Sequence, residues 1–214
     1  MAFSGGQSVN KGYFDEVAPQ WDKMRQAFFS QGVRGKAISL IRAQPGKIAA
    51  DIGAGTGFIT EGLLEKGLKV IVVDQSRSMI AEMKKKFKDV GTIDYRIGGA
   101  ENLPIEDEGV DYVFANMLLH HVEVPLTAIK EMARILKPAG ALVVADLDLH
   151  GFKFLKSEHH DRLLGLKRED IRRWFLEAGL KNVRVDCAGE NCCASSGSGS
   201  GYASISIFIA FGEK

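Results

Sequence analysis

Two acids, three glycines, two histidines and two cysteines are the residues of this sequence placed to do chemistry. Asp51 closes the apolar run Ile48-Ala49-Ala50 and opens D-x-G-x-G-x-G, with Gly53, Gly55 and Gly57 at alternate positions, and a second acid, Asp74, ends the next apolar run, KVIVVD. Glycines at that spacing give the backbone the freedom to turn sharply from a strand into a helix, so a ligand can approach the main chain closely. A helix beginning near Phe58 would aim its first amides and positive dipole end back at the turn, favouring a polar or anionic group there. His120 and His121 stand side by side, and a histidine near its ordinary pKa can act as a general base. The vicinal pair Cys192-Cys193 suits a soft metal, a metalloid or a redox role, or else small apolar packing at a strand end.

The elements that must position these groups alternate. Strand-like stretches at 47–52, 69–74, 92–97, 110–115 and 140–146 are separated by amphipathic segments near 58–66, 76–88 and 125–136, the pattern of βα units on a parallel sheet. Before them, Phe14, Val17, Trp21, Met24 and Phe28 recur at helical spacing with Pro19 between, which predicts two short helices or a kinked one. A further helix over about 32–43 ends at the Gln44-Pro45-Gly46 breaker, and Lys137 to Gly140 reads as a turn that starts the fifth strand. After Asp146 come a polar insert, a helix over 167–178 and two strand-like stretches at 180–187 and 202–211, joined by the Gly- and Ser-rich AGENCCASSGSGSG, expected to be a flexible hairpin connection. The expected organisation is one domain over 1–214. Its parts are a frayed 1–10, a helical cover at 11–44, a ligand-binding core at 45–146, a lid or substrate insert at 147–166, and a C-terminal helix and strand hairpin at 167–214.

Composition narrows the partners. A formal net charge of +1 leaves no electrostatic footprint for nucleic acid, and the hydrophobic fraction of 45% is ordinary for a globular chain. No apolar run approaches the ~20 residues of a membrane span, and MAFSGGQSVNKGY lacks a signal-peptide pattern, so a cytoplasmic protein is expected. The three cysteines, Cys187, Cys192 and Cys193, are odd in number and show no disulfide-framework spacing, which predicts reduced thiols. Lys84, Lys85, Lys86 and Lys88 read as the wet face of a helix.

Spacing then separates the candidate functions. The dinucleotide fingerprint G-x-G-x-x-G requires a small third residue, where Phe58 stands, and the phosphate-binding P-loop requires a Gly-Lys-Ser/Thr that is absent. Over about Tyr13 to Gly140 the sequence resembles the class I S-adenosylmethionine-dependent methyltransferases, in the ubiquinone/menaquinone-biosynthesis-like branch. The motifs that carry the resemblance occur in order: FDEVAPQWD, DIGAGTG, Asp74 with Ser76 and Met79 after it, GGAENLP, and VDYVFANMLLHHV followed by EMARILKPAG. The resemblance implies a Rossmann-like, doubly wound, mostly parallel seven-stranded α/β sheet with helices on both faces and an antiparallel last strand.

It also implies a cofactor, S-adenosyl-L-methionine, with S-adenosyl-L-homocysteine as product, and roles for named residues. Gly53, Ala54 and Gly55 would line its methionyl part and Asp51 would support its amino end. The Asp74 carboxylate, beside Gln75, would accept both ribose hydroxyls, the alternative being a cap on the helix near Ser76. Ala100 would offer its amide to the adenine edge, with Met79 and Leu103 around the ring. Gly99 stands where relatives carry an acid for the adenine amino group, so Glu101 or a backbone carbonyl would substitute. Asn116 follows the fourth strand as a cofactor contact or a helix cap. Tyr13 and Trp21 would cover the cofactor, a cation facing aromatic planes, or serve as core aromatics.

The implied reaction is methyl transfer by in-line displacement to a small-molecule acceptor, in which positioning alone can contribute ~7–11 kcal/mol. His121, and His120 beside it, follow a segment that lies near the methyl group in relatives, and are candidate bases or lid residues. Asp146, Asp148, His150, His159 and His160 could be read as metal ligands, but H-x-x-x-H and finger spacings are absent, so a solvated polar lid and no metal are expected. The alternatives are a thiol- or metalloid-directed methyltransferase using Cys192 and Cys193, a non-catalytic protein that binds the cofactor, and a nicotinamide-dependent reductase. A monomer or homodimer is expected.

Overall fold

The computed structural model describes residues 6–197 and 201–214. The N-terminal apolar periodicity becomes a helix α1 (Gly6–Val17), a 3-10 turn over Ala18–Gln20 that takes up Pro19, and α2 (Trp21–Phe28). The proline sits in the first turn of the new segment, where its missing N–H costs nothing. Helix α1 begins ahead of Lys11, so residues 6–10, expected to be frayed, are helical, while 1–5 lie outside the described residues. Helix α3 (Gln31–Ser39) starts at Ser30, whose hydroxyl accepts the Gly32 amide.

Seven strands follow, β1 (Ile48–Ile52), β2 (Lys69–Asp74), β3 (Ile93–Ile97), β4 (Val110–Asn116), β5 (Leu136–Leu147), β6 (Lys181–Ser195) and β7 (Tyr202–Glu213). They form one sheet in the order β3-β2-β1-β4-β5-β7-β6, with β7 antiparallel to both neighbours and the other pairs parallel. Helices α4 (Phe58–Glu65), α5 (Arg77–Lys86), α6 (Pro125–Ile135), α7 (Phe154–Glu158) and α8 (Arg168–Glu177) complete the chain. Strand alternation splits the core in two. Ala49, Val70, Val72 and Phe114 face α3, α4 and α5, whereas Ala50, Ile52, Val113 and Val144 face α6 and α8. Fully buried Phe114, Phe175 and Phe208 each contribute ~1.5–3 kcal/mol by leaving water, which secures both layers.

The strand order reverses between β1 and β4, and in such sheets a crevice opens beyond the strand ends at that point. The period of two also sets Asp51, Asp74 and Asn116 on the face occupied by α4 and α5, each at or near the C-terminal end of its strand.

Two expectations need correction. Lys137 to Gly140 lies inside β5, because Leu136 already pairs with Val110; the register shifts before Tyr112 and Ala141, and Ala139 takes a positive φ of 63°. The predicted turn is an irregularity in a strand. The Gly- and Ser-rich connection is shorter than expected as well. Strand β6 continues through Cys192 and Cys193 to Ser195, paired with Tyr202 to Ser206 of β7. Ladder hydrogen bonds from a neighbouring strand override the poor strand preference of those residues.

Candidate active site

A cavity of about 680 Å³ opens beyond the β1 and β4 ends, within the size range of small-molecule sites. Its floor is the glycine turn. Asp51, Gly53, Ala54 and Gly55 border it, with Asp74, Gln75 and Met79 beside them and Gly99, Ala100, Glu101 and Asn116 along the next edge. Tyr13 and Trp21 close it from the N-terminal helices, and His120, His121 and Cys192 border the other end. The structure thus gathers on one cavity every expected cofactor residue but Leu103, and three of the four expected catalytic ones. Among the latter, Cys193 is the exception.

The acids on the floor are held in detail. Asp51 is buried and one carboxylate oxygen accepts both the amide (2.9 Å) and the hydroxyl (2.6 Å) of Thr60. Burial raises its pKa to about 7 against the lowering effect of those bonds, and the charge of Asp74 adds to the rise. Asp74 accepts the Gly55 amide on one oxygen and the Ser76 amide on the other, each at 2.8 Å, and burial raises its pKa too. The cap reading belongs to Ser76, whose hydroxyl accepts the Met79 amide at the start of α5. Asp74 keeps its remaining lone pairs for the cavity that it borders.

Above the turn, the Trp21 Nε1 lies 3.5 Å from where a Cβ on Gly55 would stand, an ordinary contact, and it is the φ of +54° at this position that favours glycine. Asn116 caps no helix: the two that follow are preceded by Leu118 and Val124, and the Asn116 Oδ1 is buried with no hydrogen-bond partner among the described residues. Just past the edge strand β3, Glu101 accepts the Val124 amide at 2.7 Å, and Gly99 bridges to Asn102. Leu103 is turned into the core and does not border the cavity; Ile97 and Pro104 do, in its place.

At the far end lies a polar group that the sequence divides between three segments. His120 and His121 form a 3-10 turn with Leu119, just past β4. The His120 Nδ1 is 2.5 Å from the Asp146 Oδ1, while Asp146 also accepts the amides of Leu118, Leu119 and Leu147. Burial lowers the pKa of His120, but the charge and hydrogen bond of Asp146 outweigh it and the net shift is upward. His121 is pushed well below the ordinary value by burial and by His120, whose ring centroid is 4.0 Å away. Asp161 completes the group, its Oδ1 3.8 Å from the His120 Nε2 and its pKa raised to about 6 chiefly by burial.

Asp161 and Arg25 were missed in the sequence. The only hint for Asp161 is its place after His159-His160 in the insert, and for Arg25 its place on the apolar side of α2. The Arg25 guanidinium carbon lies 4.1 Å from the Phe58 ring centroid and 5.6 Å from that of Phe29, and its Nε has no hydrogen-bond partner among the described residues.

The insert is a folded wall more than a solvated lid. Its base is latched by the Leu149 amide on the Leu166 carbonyl and by Arg168 on Asp148, and Leu155, His159, Asp161 and Arg162 border the cavity. The metal set weighed from sequence does not converge, since Asp148 pairs with Arg168 and the His150 Nδ1 accepts the Phe152 amide. Strand alternation also separates the two cysteines. Cys192 packs with the cavity-side layer, and Cys193 approaches the Ser204 hydroxyl at 3.9 Å, so the pair cannot act together from an accessible loop. Burial pushes the Cys192 thiol up to about 12, with Asp161 adding to it.

Among known proteins, a methyltransferase-domain family matches residues 50–144. A demethylmenaquinone methyltransferase of Renibacterium salmoninarum is 36% identical over 137 residues, 62% of this chain and 56% of the relative. The chain therefore spans about half the length of that relative. A demethylmenaquinone methyltransferase of Bacillus licheniformis is 30% identical over 221 residues, covering 86% of this chain and 93% of the relative. Among solved structures, a Haloferax volcanii putative methyltransferase, determined in complex with the Trm112 methyltransferase activator, has a TM-score of 0.72 at 18% identity, with 94% of this chain and 96% of that chain covered. That likeness extends to the fold.

Proposed function

The chain belongs to the class I S-adenosylmethionine-dependent methyltransferases, in the ubiquinone/menaquinone-biosynthesis-like branch, and from that premise we propose that it transfers a methyl group to a planar, oxygen-bearing aromatic acceptor of quinol type. The observation that carries the cofactor assignment is Asp74, buried at the cavity floor with one oxygen on Gly55 and the other on Ser76. The residues present fit the cofactor: Asp51 supplies negative charge for its amino end, the Asn116 Oδ1 is a buried acceptor in want of a donor, and Trp21 covers Gly55.

When bound, the cofactor supplies an activated methyl group on a sulfonium. The chain's own residues then have three tasks. Asp74 and Asp51 orient the ribose and amino ends through charge-assisted hydrogen bonds. Trp21, Tyr13 and Phe14 exclude water over the reacting centre, with the Phe14 and Trp21 rings edge-on at 5.5 Å. His120, turned by Asp146 so that Nε2 faces Asp161, can hold a proton released by an acceptor hydroxyl. Phe28, Phe29, Phe58 and Arg25 form the remaining wall, and aromatic faces with a cation beside them favour a flat, electron-rich acceptor.

Calorimetric titration with S-adenosylmethionine and S-adenosylhomocysteine tests the reading. Saturable binding that Asp74→Ala weakens at least tenfold is expected. Absence of binding, or full affinity in that variant, would sink the assignment. An acceptor screen with reduced naphthoquinones and benzoquinones, followed by S-adenosylhomocysteine release, tests the acceptor class. Thiols and trivalent arsenic serve as the contrasting arm.

A further inference from the structure

Three side chains at the acceptor end of the cavity, His120, His121 and Asp161, converge more closely than proton transfer by His120 alone would require. The ring nitrogens of His120 and His121 and a carboxylate oxygen of Asp161 lie within 4.8 Å of one another, and all three residues border the cavity. The His120 Nε2 and the Asp161 Oδ1 are 3.8 Å apart, too far for a direct hydrogen bond and about the separation of two ligands on a common ion at ~2.0–2.2 Å from each.

From this geometry we propose that His120, His121 and Asp161 hold a divalent transition-metal ion, of the Zn²⁺ class, whose open coordination positions face the acceptor end of the cavity.

The surroundings are built for such an ion. The Asp146 carboxylate receives the His120 Nδ1 at 2.5 Å, which sets the tautomer with Nε2 unprotonated and raises its basicity as a ligand. Asp146 is itself fixed by three backbone amides, so the imidazole cannot swing. The third ligand is tied to the first through the main chain, since the His120 carbonyl accepts the amides of Arg162 (3.1 Å) and Leu163 (2.9 Å), next to Asp161. His121 is flanked by the Phe14 ring, edge-on at 5.1 Å. Two imidazoles and one carboxylate suit Zn²⁺, Fe²⁺ or Co²⁺ better than Mg²⁺ or Ca²⁺, which prefer oxygen alone. Three protein ligands with the remaining positions toward a cavity is the arrangement of a catalytic site, whereas a structural site is closed by a fourth.

The acceptor class follows from those open positions and rests on the methyl-transfer reading above. With the ion in place His120 Nε2 is a ligand and no longer available to hold the acceptor's proton, so an aromatic hydroxyl entering the cavity would coordinate through oxygen: the metal–oxygen bond forms, the O–H bond breaks, and the proton passes to water. The ring is thereby held as its oxyanion beside Arg25 and the phenylalanine wall.

Metal binding is measured without cofactor. Metal-stripped protein is titrated with Co²⁺ under anaerobic conditions and followed by visible d–d absorption, with Zn²⁺ competition by calorimetry. One saturable site is expected, with affinity at least tenfold lower in His120→Gln and in Asp161→Asn, and ~10–100-fold lower in Asp146→Asn. Thermal unfolding of each variant separates loss of the site from loss of the fold. No saturable site in the wild-type protein, or affinity unchanged in both ligand variants, overturns the proposal. Catechol added to the Co²⁺ protein should shift the bands, and unmoved bands overturn the open-position part. S-adenosylmethionine titrated into the metal-free protein reports on the methyltransferase reading separately, so either can fail alone.

Discussion

The Leu118 side chain fills the space that a Cβ on Gly53 would need, with its Cδ1 2.6 Å from that position, and Gly53 has a φ of +67°. Gly53→Ala would therefore meet a left-handed backbone penalty of ~1–2 kcal/mol and displace Leu118 from the cavity wall. The variant should unfold at lower temperature and bind S-adenosylmethionine more weakly. Gly91→Ala, where nothing lies within 4 Å and φ is unstrained, should change stability by less than ~0.5 kcal/mol. Equal effects at the two sites would contradict the packing account.

Asp51 should make cofactor affinity pH-dependent. Burial raises its folded pKa to about 7, whereas an unfolded aspartate titrates near ~4. Between those values the folded chain binds a proton that the unfolded chain does not, so this residue's contribution to stability falls as pH rises from ~4 to about 7 and is constant above it. A cationic amino group favours the carboxylate, so binding should strengthen from pH 6 to pH 8 and release a proton at the lower end. Calorimetry in buffers of different ionisation enthalpy measures that release, and Asp51→Asn should diminish it.

The thiols should label in a fixed order. Cys187 is exposed, and the Gly189 amide, the Ser206 hydroxyl and Arg168 lower its pKa, whereas burial pushes Cys192 up to about 12. Iodoacetamide at pH 7.5 should modify Cys187 first and Cys192 last, read by peptide mass spectrometry. Rapid modification of Cys192 would contradict its placement on the cavity-side face of β6.

The insert should depend on one ion pair. Arg168 donates to Asp148 from Nε at 2.7 Å and from Nη2 at 2.5 Å, and the Ser206 hydroxyl donates to the same carboxylate at 2.6 Å. Arg168→Ala should cost ~1–2 kcal/mol of stability, discounted for partial exposure, and hasten limited proteolysis within 150–163. Proteolysis at the wild-type rate would show that the backbone latch at Leu149 and Leu166 suffices.

Much of the cofactor end was legible because it is local. Hydrophobic alternation with period two, three glycines at a strand-to-helix turn and an acid at the end of the next strand specify backbone geometry within a few residues of themselves, and that geometry aligns Asp51, Asp74 and Asn116 on one face of the sheet. The irregular stretches were less legible. Lys137 to Gly140 and Asn191 to Ser195 have turn-like composition, yet they lie within strands: Leu136 and Ala141 on either side of the first pair with β4 while Ala139 and Gly140 bond to Lys214, and the second pairs with β7.

What the sequence determined by itself is therefore the sheet, the glycine turn and the cofactor seat, each a product of short-range periodicity and backbone freedom. Tertiary structure alone decided the acceptor end. His120 meets Asp161 only because the insert folds back on the His120 carbonyl, Arg25 is buried only because α2 packs over Phe58, and Cys192 parts from Cys193 only because β6 pairs in register with β7. Contacts between residues far apart in the chain depend on how whole elements dock, and no local pattern records that.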